Sequence, residues 1–397
     1  MVATEGLDVM VEQDVPYRSG RRTAVRVLVP VGVVAVAAAG FGLAPALASD
    51  SGPSLPSLTA EQLVTKALGS DTQALSGTVK VKADLGVPAQ LLGAAGGGPG
   101  GGGRSSAAPE AKLTELLGGE HTVRVAVDGP DRQRIGLIDG LSGYEVVHNG
   151  DQVWAWDSSS NEAVHLTAPH GTEKQHGKAP LTGVPTTPQE IARQFLSLSA
   201  GTTSVTVDGT AEVAGQKAYQ LSVKPKQSGS TIGEVRISVD AQHGVPLAVL
   251  VKSASGGNVL DAHFSSVSFA KPDAKTFRFT APKGAKVTER KADSKPATTE
   301  HKPSSEGLGP DGFNVVGEGW TTVLSTRLPA GELTAGTAKH GKGTPQSISS
   351  FAKALGKPVG GGSLISTKVL NVLITDDGRV FAGAVTPSVL QSAAGVK

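Results

Sequence analysis

Few side chains of this 397-residue chain stand at spacings that could do chemistry. Gly336-Thr-Ala-Lys-His-Gly341-Lys342-Gly343 approaches a loop whose backbone N–H groups and lysine cradle phosphates. Gly343 occupies the place of the hydroxyl that would hold magnesium, and no apolar strand pattern leads into the loop. His165, His170 and His176 fall in one polar stretch that reads as a solvated loop. Zinc sites use tighter spacing, and His-Glu-x-x-His does not occur. Gly96 to Gly103 formally contains Gly-x-Gly-x-x-Gly, but it lacks a preceding strand and a following ribose-binding acid, so it reads as low complexity. A Gly-x-Ser-x-Gly elbow does not occur, and acids such as Asp128, Asp157 and Asp240 stand singly in turns. The reading is of a non-enzymatic protein with no catalytic constellation, no metal site and no cofactor.

Composition narrows the classes further. Cys 0 excludes disulfides, thiolate metal sites, cysteine nucleophiles and a lipid-modified N-terminal cysteine. Lys+Arg 37 against Asp+Glu 35 leaves a net charge of +2 without a run of either sign, so no nucleic-acid partner is expected. Fifty-two glycines, 24 prolines and few aromatics fit two modest domains joined by flexible segments rather than one dense core.

Residues 1–48 read as an export signal. Arg18, Arg21, Arg22 and Arg26 precede the uncharged stretch Val27 to Ala48, which ends in the small-residue pattern Ala46-Leu47-Ala48. Cleavage is expected between Ala48 and Ser49; retained, the same stretch would be an N-terminal membrane anchor, which its glycines and prolines weaken. Either way the protein is expected outside the cytoplasm, at the cell envelope.

The elements follow from periodicity. Thr59 and Gln62 form a capping box ahead of a helix with Leu63, Val64, Ala67 and Leu68 on one face and Leu58 as its staple. A strand over Leu75 to Leu85 alternates Leu75, Gly77, Val79, Val81 and Ala83 with polar residues. After the glycine-rich insertion 93–106 come Val123 to Val127, Arg134 to Ile138, Tyr144 to His148, Asp151 to Trp156 and Ala163 to Leu166. Asn149-Gly150 reads as a type I′ hairpin turn. Thr187-Pro188-Gln189-Glu190 opens a second helix. Strands resume at Ser204 to Val213, Lys217 to Lys224, Gly233 to Asp240, Pro246 to Lys252 and Val259 to Phe269. Residues 288–310 are a charged, proline-containing linker, and 311–397 form a small C-terminal domain with strands at Leu364 to Thr375 and Gly378 to Thr386, a helix at Pro345 to Leu355 and a hairpin at Asp377-Gly378.

The fold class is therefore mainly antiparallel β (α+β), a sheet of about eleven strands with covering helices plus a small α+β unit. The order of its segments resembles a known family. The capped helix, the meander through His148-Asn-Gly-Asp-Gln-Val-Trp-Ala-Trp-Asp157, a helix, and Val213-Ala-Gly-Gln-Lys-Ala-Tyr219-Gln-Leu-Ser-Val-Lys-Pro225 are similar to the LolA/LolB/LppX and MucB/RseB superfamily. Val235 to Asp240, Gly244 to Val249 and Phe277 to Val287 are similar to that family's later hairpins and exit, so the likeness spans residues 58–287.

The resemblance implies a strongly curved half-barrel whose concave side, covered by helices, encloses an apolar cavity. It implies a lipid or lipoprotein acyl chain as ligand, and a membrane protein, a transporter or an anti-sigma factor, as further partner. Residues expected to line the cavity are Trp154, Trp156, Val79, Val81, Val125, Val127, Tyr219, Leu221, Val235, Ile237 and Phe264. The chain departs from lipid-anchored members in having no cysteine, and its two-part layout is closer to MucB/RseB than to single-domain LolA carriers.

Overall fold

The computed structural model describes residues 52–86, 107, 118–139, 142–167, 196, 199–291, 314–327 and 356–396. The expected export signal, the glycine tract, the helix expected from Pro345, the phosphate-loop look-alike, His170 and His176 lie outside these residues. So does the second helix, except for Leu196 and Ser199.

The chain enters through helix α1 (Ala60–Leu68), capped as its sequence dictates: Gln62 N donates to Thr59 Oγ1 at 3.2 Å, and Thr59 N donates to Gln62 Oε1 at 2.8 Å. Leu63 and Val64 are buried, whereas Leu68, expected on the same face, is 48% exposed because the helix ends there at Gly69.

All eleven expected strands form. They are β1 (Ala74–Asp84), β2 (Gly118–Asp128), β3 (Arg132–Asp139), β4 (Ser142–Asn149), β5 (Gln152–Asp157), β6 (Glu162–Thr167), β7 (Thr203–Val213), β8 (Gln216–Pro225), β9 (Ile232–Asp240), β10 (Pro246–Ser253) and β11 (Asn258–Ser268). A twelfth, β12 (Lys286–Lys291), runs parallel to β6 and takes in 288–291, which the sequence reading assigned to the linker. The order is β12-β6-β5-β4-β3-β2-β1-β11-β10-β9-β8-β7, an open curved sheet with β1 at its centre. β7 reaches β11 although three strands separate them in the ladder, a measure of how tightly this half curls. Irregularities in the β1–β11, β7–β8 and β9–β10 pairings, the second at Asp208 and Gly209 (φ 85), supply the bends.

Turn chemistry departs from expectation in two places. The β4–β5 loop is Gly150-Asp151, with positive φ at Gly150 alone, the sign pattern of a type II′ rather than a type I′ turn. Asp376-Asp377-Gly378 is a three-residue loop with Gly378 at φ 81. A type I′ pattern occurs instead at Ala214-Gly215, where both φ angles are positive (51 and 77).

The second sheet has six strands in the order β13-β14-β18-β17-β16-β15, from β13 (Asn314–Val316), β14 (Val323–Arg327), β15 (Lys357–Val359), β16 (Gly362–Ser366), β17 (Asn371–Thr375) and β18 (Arg379–Gly383). The single strand expected over Leu364 to Thr375 is thus two, and the one expected to reach Thr386 stops at Gly383. Thr386 and Pro387 instead open helix α2 (Pro387–Ala394), which buries Leu390 and Ala394 against Leu373 and Phe381.

Thr59→Ala should lower stability by about 1 kcal/mol through loss of a reciprocal cap. Urea unfolding should show the midpoint falling with an unchanged slope.

Candidate functional site

Cross-strand register separates the large sheet into two chemically distinct faces. Val79 stands opposite Val123 and Phe264; Val81 stands opposite Ala262, which faces Val249, which faces Ile237, which faces Leu221. Val125 and Val127 join through Gly77 and Leu75, and Tyr219 and Val235 through Val239 and Val251. Nine of the eleven candidate lining residues (Val79, Val81, Val125, Val127, Tyr219, Leu221, Val235, Ile237 and Phe264) thus share one apolar face.

The environment changes along that face. Tyr219, Leu221, Val235 and Ile237 are buried under α1 in a cluster with Leu63 and Val64, and the Tyr219 hydroxyl donates to Pro56 O at 2.9 Å. Val79 and Phe264 are buried at the centre with Leu247. Towards β6, Val81, Val125, Val127, Val146, Val153 and Leu166 are only half-buried, and Ile135, opposite Val125 and Val146, is 49% exposed. Among them Leu137, Tyr144, Ala155 and Val164 are buried with Ala107, whose carbonyl accepts from the Tyr144 hydroxyl at 3.0 Å, so the strip of partly wetted branched side chains beside that cluster is, among the described residues, the part of the face with surface left to offer a ligand.

Trp154 and Trp156 lie on the other face. Trp154 pairs across the ladder with Val147 and Trp156 with Glu145, whereas Ala155 pairs with Val146 on the apolar side. The segment joining β11 to β12, residues 269–285, is bound there. Its 3-10 turn Ala274–Phe277 lies against β3 and β4, Phe277 is buried, and Phe279 meets both indoles at ring separations of 5.4 and 6.2 Å. Arg134 fastens this strap by donating from Nη1 to Thr276 O at 2.7 Å while Nε donates to Glu145 at 2.7 Å. Lys271 reaches buried Asp128 at 3.4 Å. The tryptophans hold a strap, a role hidden from a reading that had not yet located one.

His165 is likewise not a solvated loop residue. It sits in β6 with a 14% exposed side chain, stacked on Trp154 at 3.9 Å, and its Nδ1 lies 2.7 Å from Glu289 of β12. Asp157 and Asp240, expected in turns, are the buried last residues of β5 and β9. Asp157 accepts from the backbone N–H and hydroxyl of Ser159, and Asp240 from the backbone N–H groups of Gln242 and His243.

On the curled half the same polar face carries a charge cluster. Glu234 accepts from the Ser222 hydroxyl at 2.7 Å and pairs with Arg236 at 3.0 Å, with Lys252 and Lys224 at 3.5 and 3.8 Å. Burial alone would raise its pKa, yet the Ser222 bond and the cations lower it to about 2. Among the described residues no group of three or more His, Asp or Glu could hold a metal ion, and no helix is long and apolar enough to cross a membrane.

No family model and no curated protein matches this chain. Among solved structures it is similar to MucB in complex with MucA(peri), at 15% identity and TM-score 0.41, covering 84% of this chain and 97% of that one. The Pseudomonas aeruginosa MucA/MucB complex gives 15% identity and TM-score 0.41, over 84% and 96%. A LolA superfamily protein from Nitrosomonas europaea gives 12% and 0.22, over 56% and 99%.

Because the folded pKa of Glu234 lies below its unfolded value near 4.5, its contribution is full above about pH 5 and is lost as pH falls toward 2. Glu234→Gln should lower stability at pH 7 and flatten the loss of stability between pH 5 and pH 2, measured by denaturant titration across that range.

Proposed function

We propose that this chain is an exported, non-enzymatic LolA-like protein that shields an acyl chain, of a lipid or a lipoprotein anchor, on the half-buried apolar strip of β1–β6. The observation that carries the reading is the continuity of that strip with a buried core: Ile135, Val125 and Val127 extend the same face that α1 seals over β7–β10. An acyl chain laid there gains about 0.8 kcal/mol per methylene removed from water. It needs few polar partners.

A fluorescent fatty-acyl probe tests the reading. Ile135→Lys places a charge where a side chain is already half in water, so the melting temperature should change by only a few degrees while the probe binds at least tenfold more weakly. Unchanged probe affinity in folded Ile135→Lys and Val125→Asp would remove the strip from consideration. Export rests on residues 18–48, and the intact mass of protein recovered from outside the cytoplasm should start at Ser49; a chain retaining Val27 to Ala48 and sedimenting with membranes would instead be tethered.

A second reading, an envelope-stress sensor of the MucB/RseB kind acting on a membrane-bound anti-sigma factor, is favoured by one observation. The six-stranded sheet is bonded to an end of the apolar face. Trp320 is buried in the α1 cluster and donates from Nε1 to Thr203 Oγ1 at 2.7 Å, Val369 joins the same cluster, and Thr231 N donates to Ala384 O at 3.0 Å. Such a joint would carry a change at the sheet to the second unit. Hydrogen exchange altered at 314–327 and 362–394 when the acyl probe binds would favour the sensor; exchange altered only in β1–β6 would favour the carrier.

A further inference from the structure

The strap does not cover its whole face of the sheet. Beside it lies a groove of about 570 Å³, within the roughly 300–1,000 Å³ of small-molecule sites. Thr276 of the strap edges it, Trp156 forms one wall, and its floor follows one cross-strand row: Thr78, Arg124, Gly136, Glu145, Trp156. The groove exists because Gly136 puts no side chain between Arg124 and Glu145. The acyl strip lies on the opposite face.

The polar groups of the groove are unevenly satisfied. Glu145 and Arg134 neutralise each other at 2.6 Å. Arg124 is exposed, and among the described residues it has no ion pair or hydrogen bond from its side chain; the hydroxyls of Thr78, directly across the ladder from it, and of Ser76 also lack partners. The buried indole N–H of Trp156 is unpartnered as well. One uncompensated cation and two free hydroxyls at one end, with Ile138 and Trp156 beyond, form a site for a compact anion joined to a short apolar group. An arginine fork with two hydroxyl donors matches the three terminal oxygens of a phosphate better than the two of a carboxylate.

We propose that the groove between the strap and β1–β5 binds an amphiphilic phosphate ester, its phosphoryl group on Arg124, Thr78 and Ser76 and its apolar part along Ile138 and Trp156. The assignment is independent of the acyl strip, and either can fail without the other. Hexyl phosphate is a suitable probe, followed through the indole N–H resonances of full-length protein labelled at its three tryptophans, with Trp156→Phe assigning the relevant signal. Saturable movement of the Trp156 resonance is expected, with inorganic phosphate, hexanol and hexanoate each at least tenfold weaker.

Gly136→Val should abolish this response. A Cβ at 136 first meets Glu145 Oε1 at 3.8 Å, an ordinary contact, so the backbone there has room for a side chain that would occupy the groove. Arg124→Gln should weaken binding at least tenfold. Both variants should keep the wild-type melting temperature and fatty-acyl probe affinity. Sedimentation with phosphatidylglycerol vesicles that Gly136→Val abolishes would identify a membrane lipid as the source of the ester; hexyl phosphate binding without vesicle binding would identify a soluble one. Hexanoate binding as tightly as hexyl phosphate, no saturable response to hexyl phosphate, or an unchanged response in folded Gly136→Val would each overturn the proposal.

Discussion

Both halves of the large sheet hang on β1. Strands β2–β6 and β7–β11 are each a local meander, and they become one sheet only because β1 pairs with β2 on one side and with β11, some 190 residues on, at the other. Such a contact repays its loop-closure entropy only once the intervening meander is in place. The seam is tight. Val79 and Phe264 are both 1% exposed, and a Cβ at Gly77 would collide with Ser266 O and stand 2.8 Å from the Phe264 ring. Only glycine lets β11 and its phenylalanine approach this closely, and β11 gives way to the strain of fit by one extra residue, Ser265, opposite the Thr78–Val79 step.

That seam dictates where the chain must go next. Leaving β11 at the centre, it can reach the free edge beside β6 only by crossing a face of the β2–β5 meander. It crosses the polar one, which explains why that face carries Phe277, the two tryptophans and the Arg134 latch, features out of place on a solvent-facing sheet. The opposite face carries the branched residues, of which Val125, Val127 and Ile135 stay partly exposed beside the cluster around Ala107.

The elements were legible because their signals are local. The capping box at Thr59, the alternation in β1 and the spacing of turns place α1 and eleven strands from neighbours a few residues apart. What escaped was non-local, or depended on signals passed over. β12 shows no alternation of its own and exists because β6 offers it an edge. Helix α2 announces itself with Thr386-Pro387, the same signal accepted at Thr187-Pro188. The tryptophans were separable in principle: a tight two-residue hairpin here pairs Trp154 and Trp156 with odd-numbered residues of β4 such as Glu145 and Val147, never with Tyr144 and Val146, whichever two residues form the turn. Following that parity across β3 and β2 to Val79 sets the tryptophans apart from the other nine. The strap groove was not legible, because its floor is a gap left by Gly136 between residues of four strands.

Placing the strap on the polar face has a consequence for how the protein could work. A ligand on the apolar strip and one in the groove would rest on opposite sides of the same five strands, where side chains alternate residue by residue: Ile135 faces one, Arg134 and Gly136 the other. Strands this constrained by pairing on both edges transmit little by bending, so each site can be occupied with small effect on the other. The six-stranded unit is joined through Trp320, Val369 and the 229–231 turn to the curled half under α1, and through Lys368 to the end of β1, where Lys368 N donates to Leu85 O at 2.9 Å and the ammonium pairs with Asp84. A signal from the apolar strip to that unit has a direct route along β1, from Val81 to the Asp84–Lys368 pair. The fold thus favours a rigid scaffold that presents separate surfaces, and any communication between them is tied to the one strand that joins its halves.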